Sequence, residues 1–231
     1  VDRSHAMRNA WHAAPRVSRI LGAGLRLLAS YQIHDALAQH MTPEQASRRL
    51  ASLHEKNAEQ VYRLCVELRG AILKLGQFFS CRQDLLAPAW ITALSRLQDQ
   101  VPAVPTAAIV ERINDEFGAP IEELFLEFDE CPLGTASIAQ VHRAVLPDGT
   151  PVVVKVQLPG IEELVESDLY AMNFMSDILA EFFPTTDWKT VSRELSRSIQ
   201  QELDYVEEAK NLSAFAAQYE GTASVVFPTV Y

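Results

Sequence analysis

The stretch that decides the fold is residues 132–157, which read PLGTASIAQVHRAVLPDGTPVVVKVQ. Small residues are followed by a strand-like run (138–146), a Pro-Asp-Gly turn (147–149) and a second run (151–157). A Pro-Asp-Gly sequence between two apolar runs is typical of a tight hairpin turn. Together with the preceding run at 124–128, the pattern predicts a three-stranded antiparallel meander, the clearest β pattern in the sequence.

The charged residue of this stretch is Lys155, which stands between Val154 and Val156. A tight loop of small residues lets backbone N–H groups approach phosphate oxygens, and a lysine on the adjacent strand adds positive charge there. Its apolar neighbours would leave the Lys155 ammonium desolvated unless a carboxylate and an anion accompany it. Taken alone, however, a valine-rich strand with one lysine is more often an edge strand whose lysine reaches solvent.

A carboxylate partner for Lys155 is expected on a helix that follows the strand. Residues 201–208 read QELDYVEE and lie on the second such helix, where Glu202, Tyr205 and Glu208 recur at helical spacing. A kinase-type helix gives one glutamate to its strand lysine, so Glu208 is predicted to orient Lys155. The competing interpretation is an acidic helix face in solvent.

Helical periodicity dominates the rest of the chain, so the predicted fold class is α+β and mostly helical. Gly70 and Gly76 fall inside one predicted helix, where each costs about 1 kcal/mol relative to Ala, so another group is expected to approach closely. The predicted helices span 16–40, 42–79 with a Thr42 cap, a short stretch from Pro88, Pro105 to Gly118, 161–183 and 187–219, with a last strand at 224–230.

Composition limits the classes of function. The 231 residues carry a net charge of −10 and a pI near 5.1, which disfavours binding to nucleic acid. Cys65, Cys81 and Cys131 show no C-x-x-C spacing, so neither a disulfide framework nor a metal site is expected. No apolar run reaches membrane-span length and residues 1–5 lack a signal core, which predicts a cytoplasmic chain. Residues 1–5 also lack an initiator Met, which predicts a chain cut from a longer gene.

Further motifs flank the hairpin. Residues 74–77 (KLGQ) match a K-x-G-Q motif, and residues 82–86 (RQDLL) and 97–102 (LQDQVP) resemble the segment that follows this motif in one family. Residues 132–142 resemble the alanine-rich loop of the same family, and the order of the motifs agrees. The chain therefore resembles the UbiB/AarF family of atypical kinase-like proteins. The remaining matches are its strand lysine, E-x-D pair and helix glutamate: Lys155, Glu202, Asp204 and Glu208.

The resemblance implies a helical extension at 1–118, carrying K-x-G-Q, and part of a kinase-like small lobe at 119–231, which stops before the hinge and large lobe. It implies that ATP binds with Lys155 on the phosphates and Glu208 orienting Lys155. The implied nucleotide-covering residues are Leu133, Gly134, Thr135, Ala136, Ser137, Ile138, Ala139, Gln140 and Val141. The implied gating residues are Lys74, Gly76, Gln77, Glu202 and Asp204, with Lys74 facing the two carboxylates.

The function implied by the resemblance is an ATPase or small-molecule kinase that supports isoprenoid-quinone (ubiquinone) biosynthesis. Implied partners are a nucleotide, lipid intermediates or enzymes of the quinone pathway, and a membrane surface with which the full-length parent associates. The parent would also use Mg²⁺, held by a catalytic-loop Asn and a D-F-G Asp that have no match in this sequence. Protein phosphorylation is disfavoured because the extension would occupy the substrate site.

The sequence departs from the family at Gly134-Thr135, where many members have alanines, and it stops at Tyr231, before the large-lobe motifs. Catalysis by this chain alone is therefore expected to be negligible. One alternative is a non-catalytic scaffold or interaction module. Another is a membrane-surface protein whose working part is the first helix, with the basic residues Arg16, Arg19 and Arg26.

Overall fold

The computed structural model describes residues 3–98, 102–184, 186–222 and 224–231, with side chains described from residue 14 onward. A small antiparallel sheet is set among helices, which confirms the predicted mostly helical α+β class. The strands are β1 (Glu127–Phe128), β2 (Gly134–Thr135), β3 (Ala139–Val145) and β4 (Pro151–Gln157). The helices are α1 (Arg3–Ala38), α2 (Pro43–Leu68), α3 (Gly70–Ser80), α4 (Pro88–Ser95), α5 (Thr106–Phe117), α6 (Ile121–Leu124), α7 (Ile161–Phe182), α8 (Trp188–Leu203) and α9 (Tyr205–Gln218), with a 3-10 turn at Arg96–Gln98.

The hairpin of β3 and β4 forms the centre of the sheet, as the opening stretch of sequence predicts. The two strands are antiparallel, with Val141 opposite Lys155. β1 and β2 both pair with the edge of β3 that faces away from β4, β1 near the end of β3 and β2 near its start. The predicted strand at 124–128 is formed only at Glu127–Phe128, because Leu124 ends the short helix α6, which Pro120 and the acidic residues after it favour.

The predicted helix from Thr42 to Phe79 begins as expected and is then broken. Thr42 and Gln45 form a reciprocal capping box at the start of α2. The prediction of one continuous helix is wrong, because the chain turns sharply at Arg69, with φ 55° and ψ −154°, and at Gly70, with φ 59°. Tertiary contacts hold this break, which separates α2 from α3.

Two predictions in the C-terminal third are also wrong. The helix expected at 187–219 is divided into α8 and α9 at Asp204, whose side chain accepts the N–H of Glu207 at 2.8 Å and so caps α9. The strand expected at 224–230 is not formed, since these residues pair with no strand among the described residues and Val226 is 91% exposed. A valine-rich run becomes a strand only where a sheet edge accepts its hydrogen bonds.

One cluster of buried apolar side chains joins the helices to the sheet. Its members come from α1–α8 and β4, among other segments, and they include Cys65, Ile109, Val156 and Ile199. The core is therefore continuous across residues 118/119, where the sequence predicts a domain boundary. The division into two domains stays a prediction. Within the described part of the chain, no helix combines the length and the apolarity that crossing a bilayer requires.

Candidate functional site

A cleft of about 650 Å³ lies where the β2–β3 loop and β4 face α3, α8 and α9. It gathers residues from three separate parts of the sequence. The residues of the predicted site that line this cleft are Lys74, Gln77, Thr135, Ala136, Ser137, Ile138, Ala139, Lys155, Glu202 and Glu208. The remaining predicted residues, Leu133, Gly134, Gln140, Val141, Gly76 and Asp204, lie outside its lining.

Lys155 reaches the cleft because β4 alternates between two environments. Val154 and Val156 turn toward the core, whereas Val153 and Lys155 lie on the other, more exposed face. The Lys155 side chain is 42% exposed, so this strand lysine is not buried as its apolar neighbours suggested. A run of valines does not show which face of a strand is buried, and here the lysine shares the open face.

Glu208 is the carboxylate partner of Lys155. The Lys155 Nζ donates to both oxygens of Glu208, at 2.6 and 2.8 Å. The same ammonium lies 4.6 Å from the centre of the Tyr205 ring, within the range of a cation–π contact. Tyr205 begins α9 and Glu208 follows almost one turn later, so the start of α9 at Asp204 positions both groups. The catalytic role of the pair stays a prediction.

The Tyr205 hydroxyl is buried and has no hydrogen-bond partner among the described residues. Burial raises the pKa of this phenol, and the nearby carboxylates of Glu208 and Glu202 raise it further. Tyr205 is therefore neutral in the physiological range. Tyr205 contacts Lys155 through its ring face and not through its hydroxyl.

The β2–β3 loop forms the side of the cleft nearest Lys155. A hydrogen bond of 2.8 Å from the Ala136 N–H to the Ala139 carbonyl closes this loop. Gln140 lies beyond the loop and is only 1% exposed, and its side chain contacts the Val104 N–H and, at 3.2 Å, the His142 ring. The amide of Gln140 thus anchors the strand to the connecting segment before α5, and it does not face the cleft.

Lys74 forms an ion pair with Glu202 and so bridges α3 and α8 across the cleft. Gln77, one turn further along α3, donates to the Leu97 carbonyl at 2.9 Å. Asp204 has a different partner from the one expected, because its carboxylate caps α9 rather than meeting Lys74. The Lys74–Glu202 contact fits the predicted gate, whose function stays a prediction.

Gly76 belongs to the core side of α3. A Cβ at this position would lie 2.5 Å from Leu97 Cδ1 and 2.9 Å from Cys65 Sγ. The glycine in the K-x-G-Q motif therefore allows α3 to pack closely against α2 and the 3-10 turn. The expectation of close approach at Gly76 is correct, but the approaching group is the protein's own core rather than a ligand.

Several cleft residues were not identified from the sequence. Ser198 and Gln201 lie on the face of α8 that carries Glu202, and Asn211 lies one turn after Glu207 on α9. The i, i+4 spacing of Ser198 to Glu202 and of Asn211 to Glu207 is the signal that could have located these two residues, and Gln201 lies three residues after Ser198 on the same helix. Gln98 completes the set, donating to the Ser80 hydroxyl at 3.0 Å.

The charges of the cleft are balanced in pairs. Its two lysines each have a glutamate partner, and Glu207, the third carboxylate in the lining, forms an ion pair of 3.2 Å with Lys210 outside it. In the described ranges, no three His, Cys, Asp or Glu side chains come together as a metal site. The sheet side of the cleft offers the Lys155 ammonium and the loop backbone, and the helical side offers the Lys74 ammonium with amide and hydroxyl groups.

Comparison with known proteins identifies the family. Residues 96–231 match the family described as the ABC1 atypical kinase-like domain, and this match covers more than half of the chain. The chain belongs to this family. The resemblance seen in the motifs is therefore confirmed, and β2, the loop, β3, β4 and α8–α9 all fall within the matched region.

Two relatives have names that refer to the BC1 complex kinases and to the AarF domain. The chain is 40% identical over 168 residues to the chloroplastic protein ACTIVITY OF BC1 COMPLEX KINASE 7 of Arabidopsis thaliana, covering 72% of this chain and 24% of that protein. It is 33% identical over 181 residues to AarF domain-containing protein kinase 1 of Xenopus tropicalis, covering 78% and 35%. The chain thus spans about a quarter to a third of the length of these curated relatives.

A solved structure is also similar in sequence. This is the complex of Rv3197 with erythromycin from Mycobacterium tuberculosis, which is 33% identical and has a TM-score of 0.47. The match covers 77% of this chain and 46% of that one.

Proposed function

We propose that this chain forms the nucleotide-binding part of an ATP-dependent atypical kinase or ATPase. One observation carries the proposal: the Lys155–Glu208 pair lies in the same cleft as the small-residue loop 135–139. A strand lysine oriented by a helix glutamate is the arrangement that kinase-type folds use to hold nucleotide phosphates. Membership of the ABC1 family supports the same activity.

The residues present are suited to ATP. A cleft of about 650 Å³ falls within the size range of pockets that hold small molecules and cofactors. An ammonium has three donors, so Lys155 can bind a phosphate oxygen while it keeps its bonds to Glu208. Loop residues 135–139 would cover the phosphates with backbone and small side chains, and the amides of Gln77 and Asn211 offer polar contacts elsewhere in the cleft. ATP supplies the phosphoryl group when bound.

The Lys74–Glu202 bridge favours a small substrate over a protein. It joins α3 to α8 at the cleft and narrows the route by which a polypeptide could enter. The family resemblance extends the proposal to isoprenoid-quinone (ubiquinone) biosynthesis, with the longer protein associated with a membrane and its Mg²⁺ held by residues of the large lobe. These finer assignments rest on the resemblance, whereas nucleotide binding also rests on the geometry of the cleft.

Titration with a fluorescent ATP analogue tests the proposal. We expect Lys155→Met to weaken binding by about tenfold or more, a loss of about 1.4 kcal/mol, because the substitution removes a positive charge from the phosphate site. The matched control is Lys189→Met, which removes a more exposed lysine from a surface ion pair with Asp177, at 3.2 Å, outside the cleft lining. The control should bind the analogue like the unmodified protein.

Two results would contradict this function. Absence of saturable binding by the unmodified, folded chain would favour the non-catalytic scaffold, and equal losses in the Lys155 and Lys189 variants would show that the effect is one of net charge. Binding lost only in Lys155→Met, with an unchanged thermal midpoint, would support the assignment of the phosphate site.

A further inference from the structure

The break between α2 and α3 is held by a buried ion pair from two distant helices. Arg16 of α1 and Asp168 of α7 form two parallel bonds, Nε–Oδ1 at 2.6 Å and Nη2–Oδ2 at 2.7 Å. The Asp168 side chain is 0% exposed and the Arg16 side chain 11%. The Asp168 carboxylate is therefore withdrawn from solvent although the residue lies on a helix. A bidentate pair of this kind fixes orientation as well as distance.

This ion pair also binds the backbone on each side of the break. Arg16 Nη1 donates to the Leu68 carbonyl at 2.7 Å, and Asp168 Oδ2 accepts the Ala71 N–H at 3.1 Å. In an uninterrupted helix, that carbonyl and that N–H would bond to residues four positions away along the same helix. Side chains of α1 and α7 thus replace the hydrogen bonds that the interruption removes.

The interrupted conformation is unfavourable by itself. Arg69 has φ 55° and ψ −154°, a combination that glycine adopts readily and other residues rarely do. Gly70 must be small, because a Cβ there would lie 3.2 Å from Asp168 Oδ2 and 3.3 Å from Arg16 Nη2. The apolar spacing from 61 to 79 favours one continuous helix, so local sequence and tertiary contacts prefer different conformations here.

The break determines where the gating lysine lies. Lys74 is four residues after Gly70 on the short helix α3, and its ammonium pairs with Glu202 at the cleft. If residues 68–71 became helical, α3 would continue the axis of α2, and Lys74 would leave Glu202. A strained segment held by distant side chains beside a functional site is a candidate for a two-state element.

We propose that Arg16 and Asp168 form a latch that holds the α2–α3 break and thereby positions Lys74 at the cleft. Arg16 and Asp168 are positioning residues, since neither lines the cleft. The consequence for nucleotide affinity rests on the proposed function, whereas the position of α3 can be measured without any ligand.

Native cysteines allow that measurement. Cys81 is exposed at the C-terminal end of α3, and Cys131 is exposed between β1 and β2. Cys65 is 2% exposed, and burial raises the pKa of its thiol to about 12, so it stays unlabelled in the folded protein. Spin labels on Cys81 and Cys131 therefore report the distance from the end of α3 to the sheet by pulsed electron paramagnetic resonance.

The unmodified protein should give one narrow distance distribution, and Asp168→Asn should add a second, displaced distance. Asn keeps the size of the side chain but removes the charge that holds Arg16. Arg16→Lys keeps the charge, loses the paired bonds and should give a smaller displaced fraction. The matched control is Glu67→Gln, which removes the exposed Arg19–Glu67 ion pair of 2.5 Å between α1 and α2 without touching the break, and its distribution should be unchanged.

Each outcome decides the proposal. Unaltered distances in folded Asp168→Asn and Arg16→Lys would overturn the latch. Loss of folding in both variants would also overturn it, because the ion pair would then be required only for folding. In the same variants we expect the affinity for the ATP analogue to fall by about twofold to thirtyfold, because Glu202 is left unpaired in the cleft. If the unmodified protein binds no nucleotide, the proposed function fails while the distance measurement still decides the latch.

Discussion

At the scale of single residues, two glycines differ in the space around them. One is Gly76 of the K-x-G-Q motif, and the other is Gly134, the first residue of β2. Gly76 has no room for a side chain, whereas Gly134 has nothing within 4 Å of a Cβ placed on it and has no positive φ. The difference arises because α3 packs against Leu97 and Cys65, which are 0% and 2% exposed and cannot move into solvent. Position in the core, not the motif pattern, sets the tolerance of each glycine.

Replacing Gly76 with Ala is expected to destabilise the fold. Overpacking of this kind costs about 1–3 kcal/mol, while the better helix propensity of Ala returns about 1 kcal/mol at most. Urea unfolding followed by circular dichroism measures the difference in the free energy of unfolding. Gly134→Ala is the control and should leave stability within about 0.5 kcal/mol of the unmodified protein. Equal stability of both variants would contradict the packing role.

At the scale of elements, the N-terminal caps of two helices can be compared. One cap stabilises its helix only, whereas the other also positions residues of the cleft. Thr42 caps α2 far along the chain from the cleft residues of α8 and α9. Asp204 caps α9, which carries Tyr205 and Glu208 to Lys155. Both caps accept a backbone N–H three residues later, so they make the same local contribution to a helix.

We therefore expect Thr42→Ala and Asp204→Ala to lower the free energy of unfolding by similar amounts, about 1 kcal/mol each. Only Asp204→Ala should also weaken binding of the ATP analogue, because fraying of the first turn of α9 releases Glu208 from Lys155. Equilibrium unfolding and the binding titration, performed on the same two variants, separate the effects. Weakened binding in both variants would point to global loosening rather than to the start of α9.

At the scale of the whole molecule, the extension and the lobe share one core. Buried side chains of α1–α5 pack in the same cluster as those of β4, α7 and α8. The Arg16–Asp168 and Lys74–Glu202 ion pairs cross the boundary predicted at 118/119. Neither part therefore has a complete hydrophobic core of its own, and cooperative unfolding follows from that sharing.

We expect a single unfolding transition for the whole chain. Two single-tryptophan proteins test this, one keeping Trp90 of α4 and the other keeping Trp188 of α8, with the remaining tryptophans changed to Phe. Their fluorescence midpoints in urea should coincide with each other and with the loss of helical circular dichroism. A lower midpoint for either reporter would show that the extension and the lobe unfold separately.

Sequence alone determined the hairpin of β3 and β4, the loop of small residues before it and the choice of Glu208 as the contact of Lys155. These features follow from short-range patterns, namely strand runs, a Pro-Asp-Gly turn and helical spacing, and from motifs in a recognisable order. The family followed from the same motifs, and the match over residues 96–231 confirmed it.

Only the tertiary structure decided the α2–α3 break, the burial of Asp168, the exposed face on which Lys155 lies and the capping role of Asp204. Local periodicity favours a continuous helix at residues 68–71, and the bonds that interrupt it come from Arg16 and Asp168, which are 52 and 97 positions away from their backbone partners. Contacts over such separations leave no periodic trace in the sequence. They form only when α1 and α7 pack on either side of the break.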